Sequence, residues 1–532
     1  MPRRNRDTYV GSYSSFDRQE NRRRIPSPLP YLLFILLVAG GLAYYQFFAF
    51  RTLTGTVHNS YTGETLASAL ITLRSKSGSA DEPDTKGATV FTATSGTDGT
   101  FIFERVPEDP VISVEAEGFT STEVDSHGKR DVTVSLVPAT LSGMVTSSDG
   151  HPLSASIITS GARTNSGPDG KYELDIVPAD HKLMIKSPGY LATTVEFGQV
   201  MTQNVSLEPM VVKAIYISAD TVASPGKLQA LLDMVDRTEL NAVVIDVKGD
   251  NSGSVLYDSR SELIKEVGTI NQIIPDLDAL LQNLKSRKIY AIARLPVFWD
   301  QAVTAAKPEW ALKSKKAPGQ DWVDGYGRRW ANPFNEEVWN YNIEIAIEVV
   351  SRGFDEIQFD NAHFPSEGEL EDIDYGPAGA GQKRVEGIKG FLDRAYTELS
   401  PLGAYTGINV FAFTPYVQDD QGIGHNLEEL ALNIDYICPT IYPADFPDGF
   451  MDFAKPAEQP AEIVGQTTKR AAARASVSPA RIRPWLQDFS RNVKYDAPKV
   501  RAEIDAAEQN GAVGWMLWNF GNVYTEGALK AP

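Results

Sequence analysis

Cysteine is nearly absent from this 532-residue chain: Cys438 stands alone. No intramolecular disulfide can form, and no cysteine-based zinc site can be assembled. Histidine is scarce as well. His58, His127, His151 and His181 are scattered singly, only His363 and His425 follow, and no H-x-x-x-H pair occurs. A metal-dependent deacetylase would therefore find few nitrogen ligands, and no metal or cofactor is expected. Positive charge is short, with 50 Lys and Arg against 69 Asp and Glu and a net charge of -19. Residues 1–30 nevertheless carry seven Arg against three acids, so the rest of the chain is more acidic still. An acidic body argues against nucleic acid as a partner, because phosphates need Lys and Arg. Tryptophan is missing until Trp299, and all eight lie from there onward.

One stretch lacks charge altogether. Tyr31 to Phe50, YLLFILLVAGGLAYYQFFAF, is long enough to span a bilayer's hydrocarbon. Arg22, Arg23 and Arg24 precede it, which by the positive-inside rule keeps the N-terminus cytoplasmic. Tyr44, Tyr45, Phe47, Phe48 and Phe50 read as an interfacial aromatic belt. The alternative is a cleaved signal peptide, but the apolar run is longer than a signal core and no small-x-small site closes it. Residues 1–30, polar, Arg-rich and broken by Pro26, Pro28 and Pro30, read as a disordered cytoplasmic tail. Residues 31–50 are expected to form a transmembrane helix, with everything beyond it outside the cytoplasm, at the cell membrane.

Residues 52–208 repeat. Leu53 to Val57 returns as Leu141 to Val145, Asp98-Gly99 as Asp169-Gly170, and Val106-Pro107 as Val177-Pro178. Glu117-Gly118-Phe119 returns as Ser187-Pro188-Gly189-Tyr190. The offset falls from 88 to 71 residues, which places a polar insertion of 17 within Ser75 to Ser95 of the first copy. Short alternating strands with Asp-Gly turns indicate two small all-β sandwiches, at 52–138 and 139–208. The motif set resembles the carboxypeptidase regulatory-like, transthyretin-like domain, which implies stalk or adhesive modules rather than catalysis.

From 211 to 532 strand and helix patterns alternate. Eight strands are predicted: Val212 to Ser218, Ala242 to Lys248, Tyr290 to Phe298, Phe354 to Asp360, Gly407 to Phe413, Asp435 to Tyr442, Arg483 to Phe489 and Gly514 to Asn519. Asn332 and Pro333 read as cap and first turn of a helix that carries Val338, Tyr341, Ile345 and Val349 at helical spacing. Eight such units fit a (β/α)8 TIM barrel. In GFDEIQFDNAHFP, Gly353 ends a helix, and Glu356, Gln358 and Asp360 share one strand face while Ile357 and Phe359 share the other. Asp360 then stands at the strand's C-terminal tip, where such barrels keep their chemistry. The plainer reading is a loop cap or a partner for a buried base.

Other strand ends add polar groups: Asp246, Lys248 and Asp250; Arg294, with Trp299 and Asp300 just beyond; His363; Asn409; Thr440 and Tyr442; Gln487 and Asp488; Trp518 and Asn519. Such convergence on one rim marks a site. Trp299, Trp310, Trp322 and Trp330 share the loop after the third strand. Flat aromatic faces beside acids and amides suit a sugar ring; alternatively these rings pack the loop onto the barrel.

The motifs VIDVKGD, IYAIARLPVFWD, GFDEIQFDNAHFP, CPTIYP, RPWLQDF and GWMLWN, in that order, resemble an uncharacterised bacterial family of TIM-barrel glycoside hydrolases. The resemblance implies kinship with retaining glycosidases of the α-amylase-like kind, whose nucleophile is an acid at the tip of strand four, the place of Asp360. It also implies a carbohydrate partner. Three departures stand out. Asp360-Asn-Ala-His363 lacks an arginine the family usually has, Asn409 replaces a strand-five acid, and Tyr442-Pro-Ala-Asp-Phe446 replaces Y-P-S-H-Y. Asn409 has no proton to give, so Asp250, Asp300, Asp445 or Asp488 must supply the second carboxyl that glycosidases need. The expected catalytic pair is Asp360 and Asp250. Lys248 and Arg294 are expected to hold Asp360 ionised, and Asp246, Trp299, His363, Asn409, Tyr442, Gln487 and Trp518 to bind the sugar. The alternative is a degenerate barrel that binds envelope carbohydrate without cleaving it.

Overall fold

Strands buried on both faces need a cover on each side, and a parallel sheet closed inside a ring of helices supplies it. The computed structural model describes residues 29–49, 51–75, 91–106, 110–160, 162–175, 177–178, 180–198, 201–476, 481–491 and 493–532. Its C-terminal part is such a barrel. The strands are Lys213–Ile217, Ala242–Asp246, Tyr290–Pro296, Glu356–Asp360, Tyr405–Phe411, Tyr436–Ile441, Arg481–Ile482 continued by Trp485–Gln487, and Trp515–Trp518. Each pairs in parallel with the next, and the eighth returns to the first. We refer to them as the first to eighth strands.

The seventh strand is interrupted where one strand was expected. Pro484 has no N–H to give the ladder, so pairing stops at Ile482 and resumes at Trp485. The eighth begins one residue late because Gly514 turns into it at φ +88, where a Cβ would meet the Val212 carbonyl oxygen at 2.1 Å. Only glycine fits there. Asn332 does not cap the helix after the long loop. That helix is Glu336–Arg352, capped by the Asn335 side chain, while Asn332 accepts from the Phe334 N–H in the preceding turn. Val338, Tyr341, Ile345 and Val349 do face the barrel, fully buried.

The period-two reading of the fourth strand describes its packing. Ile357 and Phe359 enter the apolar layer under the helices. Glu356 and Gln358 point inward and are wholly buried. Glu356 pairs with Arg483 at 2.7 Å, and the Gln358 amide donates to the sulfurs of Cys438 and Met516 at 3.3 and 3.2 Å. The barrel is therefore plugged by side chains below Asp360, which tops this column.

Two compact units make up the chain, Met1–Val137 and Pro138–Pro532. The first holds a helix, Leu29–Ala49, over the apolar run. Its described side chains, as far as Ala43, include strongly exposed leucines and phenylalanine. Among the described residues no helix is long and apolar enough to cross a membrane. The tail 1–28, Phe50 and the core of the expected insertion, 76–90, lie outside the described residues.

The repeat is real in topology. One sheet of the first copy orders Thr100–Val106, Arg51–Asn59 and Asp131–Leu136, and the other Phe91–Thr94, Leu70–Ser75, Pro110–Glu115 and Thr122–Asp125. The second copy orders Lys171–Leu174, Leu141–Ser147 and Val205–Leu207, with Arg163–Asn165, Ser156–Ile158, Lys182–Lys186 and Thr193–Glu196. The strands correspond one for one. Gly99 and Gly170 occupy the same turn, at φ +73 and +78.

The second copy is seated on the barrel floor. Lys186, with no side-chain exposure, pairs with Asp435 at 2.8 Å and donates to the Ala404 carbonyl at 2.9 Å. The Tyr436 hydroxyl accepts from the Gly189 N–H at 2.8 Å, and the Tyr405 hydroxyl accepts from the Ser187 N–H at 3.2 Å. The Ser187-Pro188-Gly189-Tyr190 motif of the repeat is thus the contact with the strand starts opposite the mouth.

Candidate active site

Arginine presents a planar fork of five donors, and here that fork is shared among acids. Arg294, inward-facing near the end of the third strand, is almost fully buried. Its Nε and Nη2 reach Asp360 Oδ2 at 2.6 and 2.5 Å. Nη1 donates to Asp246 at 2.9 Å, and Nη2 also to Asp250 at 3.0 Å. Asp250 and Asp360 therefore stand on one nitrogen, separated there by no more than the sum of their distances to it. That limit, set between single oxygens, falls short of the about 6.5–9.5 Å that separates the carboxyls of inverting glycosidases. Both acids keep some exposure, 18% for Asp360 and 37% for Asp250.

Burial alone would raise the Asp360 carboxyl. The Arg294 guanidinium, the Asn361 N–H and the Asn409 amide outweigh it and hold the carboxyl below its ordinary value. Asp246 goes the other way. Burial raises it, against Arg294 and a 2.5 Å bond from the Tyr216 hydroxyl. The Trp518 ring stacks on Tyr216 at 4.2 Å, and Arg294 lies 5.3 Å from its centroid. Asn409 accepts from the Trp485 indole N–H at 2.9 Å. Tyr442 lies close enough to Asp360 that, after burial, the carboxylate is the next cause raising its hydroxyl.

The fold brings Asp246, Asp250, Arg294, Asp360, Asn409, Tyr442 and Trp518 together. Lys248 is not among them. It is wholly buried on the helix side, where it pairs with Asp300 at 2.6 Å and donates to Asn342 at 2.7 Å. Burial drives its ammonium down and the Asp300 carboxyl up. The alternation Asp246, Lys248, Asp250 misleads because pairing of the second strand ends at Asp246, and the chain then turns. Gln487 is occupied as well, accepting from the Ala444 N–H at 3.0 Å and donating to the Phe489 carbonyl at 2.8 Å. It braces two rim loops rather than facing a ligand.

Of the other acids weighed as proton donors, Asp300 is paired with Lys248, Asp445 with Arg491, and Asp488 accepts from Thr525. Trp310, Trp322 and Trp330 are buried and pack the long loop. Trp299 is half-buried, with the Arg328 guanidinium 3.9 Å from its ring centroid. His363 is buried among Trp330, Phe411 and His425, with Nδ1 2.7 Å from the Phe364 carbonyl, and burial pushes its imidazole below the ordinary value. Among the described residues no three His, Cys, Asp or Glu side chains are gathered as metal ligands.

Three contributors escape the sequence reading: Tyr216, Trp485 and Asn361. Asn361 adopts φ 47, donates its N–H to Asp360 at 2.8 Å and its amide to Asp250 at 3.1 Å. Asparagine tolerates left-handed backbone better than most residues, so the Asp-Asn pair at the strand tip is the available signal.

No curated protein matches the chain. It is similar to a hypothetical protein from Ruminiclostridium thermocellum, at 34% identity over 39% of this chain and 98% of that one, with a TM-score of 0.34. It is similar to the PgaB (BpsB) glycoside hydrolase domain from Bordetella bronchiseptica, at 14% identity over 59% and 95%, with a TM-score of 0.43. A chitinase from Chromobacterium violaceum follows at 14% identity over 60% and 97%, with a TM-score of 0.35. Residues 214–524, more than half of the chain, match the family described as "putative glycosyl hydrolase domain", and the chain belongs to that family.

Proposed function

We propose that this chain is a membrane-anchored, extracytoplasmic glycoside hydrolase acting on a polysaccharide or cell-envelope glycan. The observation that carries the reading is the Asp360–Arg294–Asp250 arrangement at the open end of the barrel. Asp360, kept ionised, attacks the anomeric carbon. The C–O bond breaks, its electron pair leaves with the glycosidic oxygen, and Asp250 supplies the proton. Water then displaces Asp360 and returns a proton to Asp250. Asp246, Asn409, Tyr442 and Trp518 surround the ring. In this reading the charge-free stretch 31–50, which runs past the last described side chain of its helix, is the anchor, and the paired sandwiches, which follow it in the chain, are carboxypeptidase regulatory-like modules.

Asp360→Asn tests the reading. It keeps the shape and removes the nucleophile, so hydrolysis of a responsive glycan should fall by at least about a thousandfold while the melting curve changes little. Undiminished turnover removes Asp360 from the mechanism. A second reading, binding without cleavage, is favoured by Asn409, a bonded amide where the resembling family carries an acid. Glycan binding by the wild-type chain with no product release would select it.

A further inference from the structure

Phe520 is 81% exposed and Val523 74% exposed, in the turn that follows Trp518. Exposed phenylalanines on loose loops are common, but this turn is fixed. Asn522 is buried within it. Its Oδ1 accepts from the Ser218 N–H and hydroxyl, both at 2.9 Å, and its Nδ2 donates to the Tyr216 carbonyl at 3.0 Å. Asn519 accepts from the Gly521 N–H at 2.9 Å and donates to the Val523 carbonyl at 2.8 Å. The backbone is thus tied to the first strand while Phe520 is held out in water. Leaving such a ring exposed forgoes the gain of burying its faces, and a fixed turn cannot fold it away.

A second exposed ring stands at the C-terminal end of another strand. Phe411 ends the fifth strand, two residues beyond Asn409, and is 40% exposed. The His363 ring backs it at 5.1 Å. In a closed eight-strand barrel the eighth strand lies opposite the fourth. Going round from the eighth, one meets Tyr216, then Asp246 and Asp250, then Arg294, then Asp360, and finally Phe411. The acids occupy the arc between the two exposed rings.

We propose that Phe520 and Phe411 are sugar-stacking platforms at the two ends of that arc. The substrate of the site assigned above is then an extended glycan of several rings, laid across the mouth and cut internally. Sugar rings carry apolar C–H faces that lie flat on aromatic side chains. The one guanidinium among these groups is already shared by three acids, which further favours uncharged polymers over polyanionic ones. The inference rests on the glycosidase reading and adds the length and charge class of the substrate.

The test measures binding of the full chain to soluble starch, mixed-linkage β-glucan and glycol chitin, each beside its own disaccharide. For a polymer that binds, Phe520→Ala and Phe411→Ala should each weaken affinity about tenfold, by analogy with stacking on aromatic side chains. Affinity for the matching disaccharide should stay within about twofold, and Phe520→Trp should retain polymer affinity, as stacking requires. Where cleavage is followed, the first products should be longer than disaccharides. If Phe520→Ala binds polymer like the wild type, or loses the disaccharide equally, the platform is refuted and the glycosidase reading stands. A wild-type chain that binds none of the glycans removes both.

Discussion

Trp485 donates its indole N–H to the Asn409 amide oxygen at 2.9 Å, and this bond decides what Asn409 offers Asp360. With its oxygen occupied, the amide presents its NH2 to the carboxylate and helps keep it ionised. Asparagine at this position is a donor that positions the nucleophile, and it needs no ionisable proton for that role.

Asn409→Asp should therefore impair the site. The Trp485 bond survives on one oxygen, and the other oxygen faces Asp360. Two carboxyls in contact cannot both ionise readily, so Asp360 titrates higher. We expect kcat/KM at neutral pH to fall about ten- to a hundredfold, with partial recovery at higher pH. An unchanged or faster variant would show that the position serves as an acid.

Arg294 gives the pH dependence its sign. Asp360 is held below 3.8, so the acid limb of kcat/KM should lie below that value. Its contribution to stability has the same sense, fully present above the unfolded carboxylate's pKa and lost as pH falls through the depressed folded value. Arg294→Lys replaces a fork by a point charge and cannot reach three acids at once. The acid limb should move up in pH, and a limb that stays put would dissociate Arg294 from Asp360 ionisation.

His425 adds to the loss of stability on the acid side, although it is the neutral form that the fold holds. Burial, with His363 as neighbour, brings its imidazole down to about 3. Nε2 lies 3.0 Å from the Ala362 carbonyl, while Nδ1 is buried without a partner. Between 6.5 and that value the unfolded chain binds a proton the folded chain refuses. Stability should fall with pH across this window, by up to about 1.4 kcal/mol per pH unit for one such proton. His425→Gln should flatten the slope of denaturation midpoint against pH. An equal slope in both chains would assign the loss to other groups, His363 first among them.

Periodicity carries the barrel because it is local. Ile357 and Phe359 against Glu356 and Gln358 announce both faces of one strand, and Asp360 follows at its tip. Periodicity fails where the chain leaves the ladder: extending the count past Asp246 puts Lys248 at the mouth, although it lies under a helix. Gln487 fails for a different reason. Its partners are backbone groups of residues 444 and 489, and a sequence does not say which loop will need bracing. Tyr216 and Trp485 read as ordinary core residues until the closed sheet turns their polar atoms toward Asp246 and Asn409. The internal repeat reveals the second sandwich, but its own alternation gives no sign that Lys186 ends inside the barrel's floor.

That floor contact has a measurable consequence. The Lys186 ammonium is wholly buried against Asp435, with the Tyr396 ring 4.4 Å away. Removing one partner of a buried pair leaves an uncompensated charge, which costs about 3–5 kcal/mol. Asp435 would still accept from the Thr406 N–H at 2.8 Å, so Lys186→Met should lie near the lower end, about 3 kcal/mol in denaturant unfolding. Adding Asp435→Asn removes the stranded charge and should recover part of that loss. The mouth groups stand at the other end of the strands, so kcat/KM of the folded variants should be unchanged. A Lys186→Met loss below about 1 kcal/mol, the range of exposed pairs, would mean that the second sandwich rests on the barrel without depending on this pair.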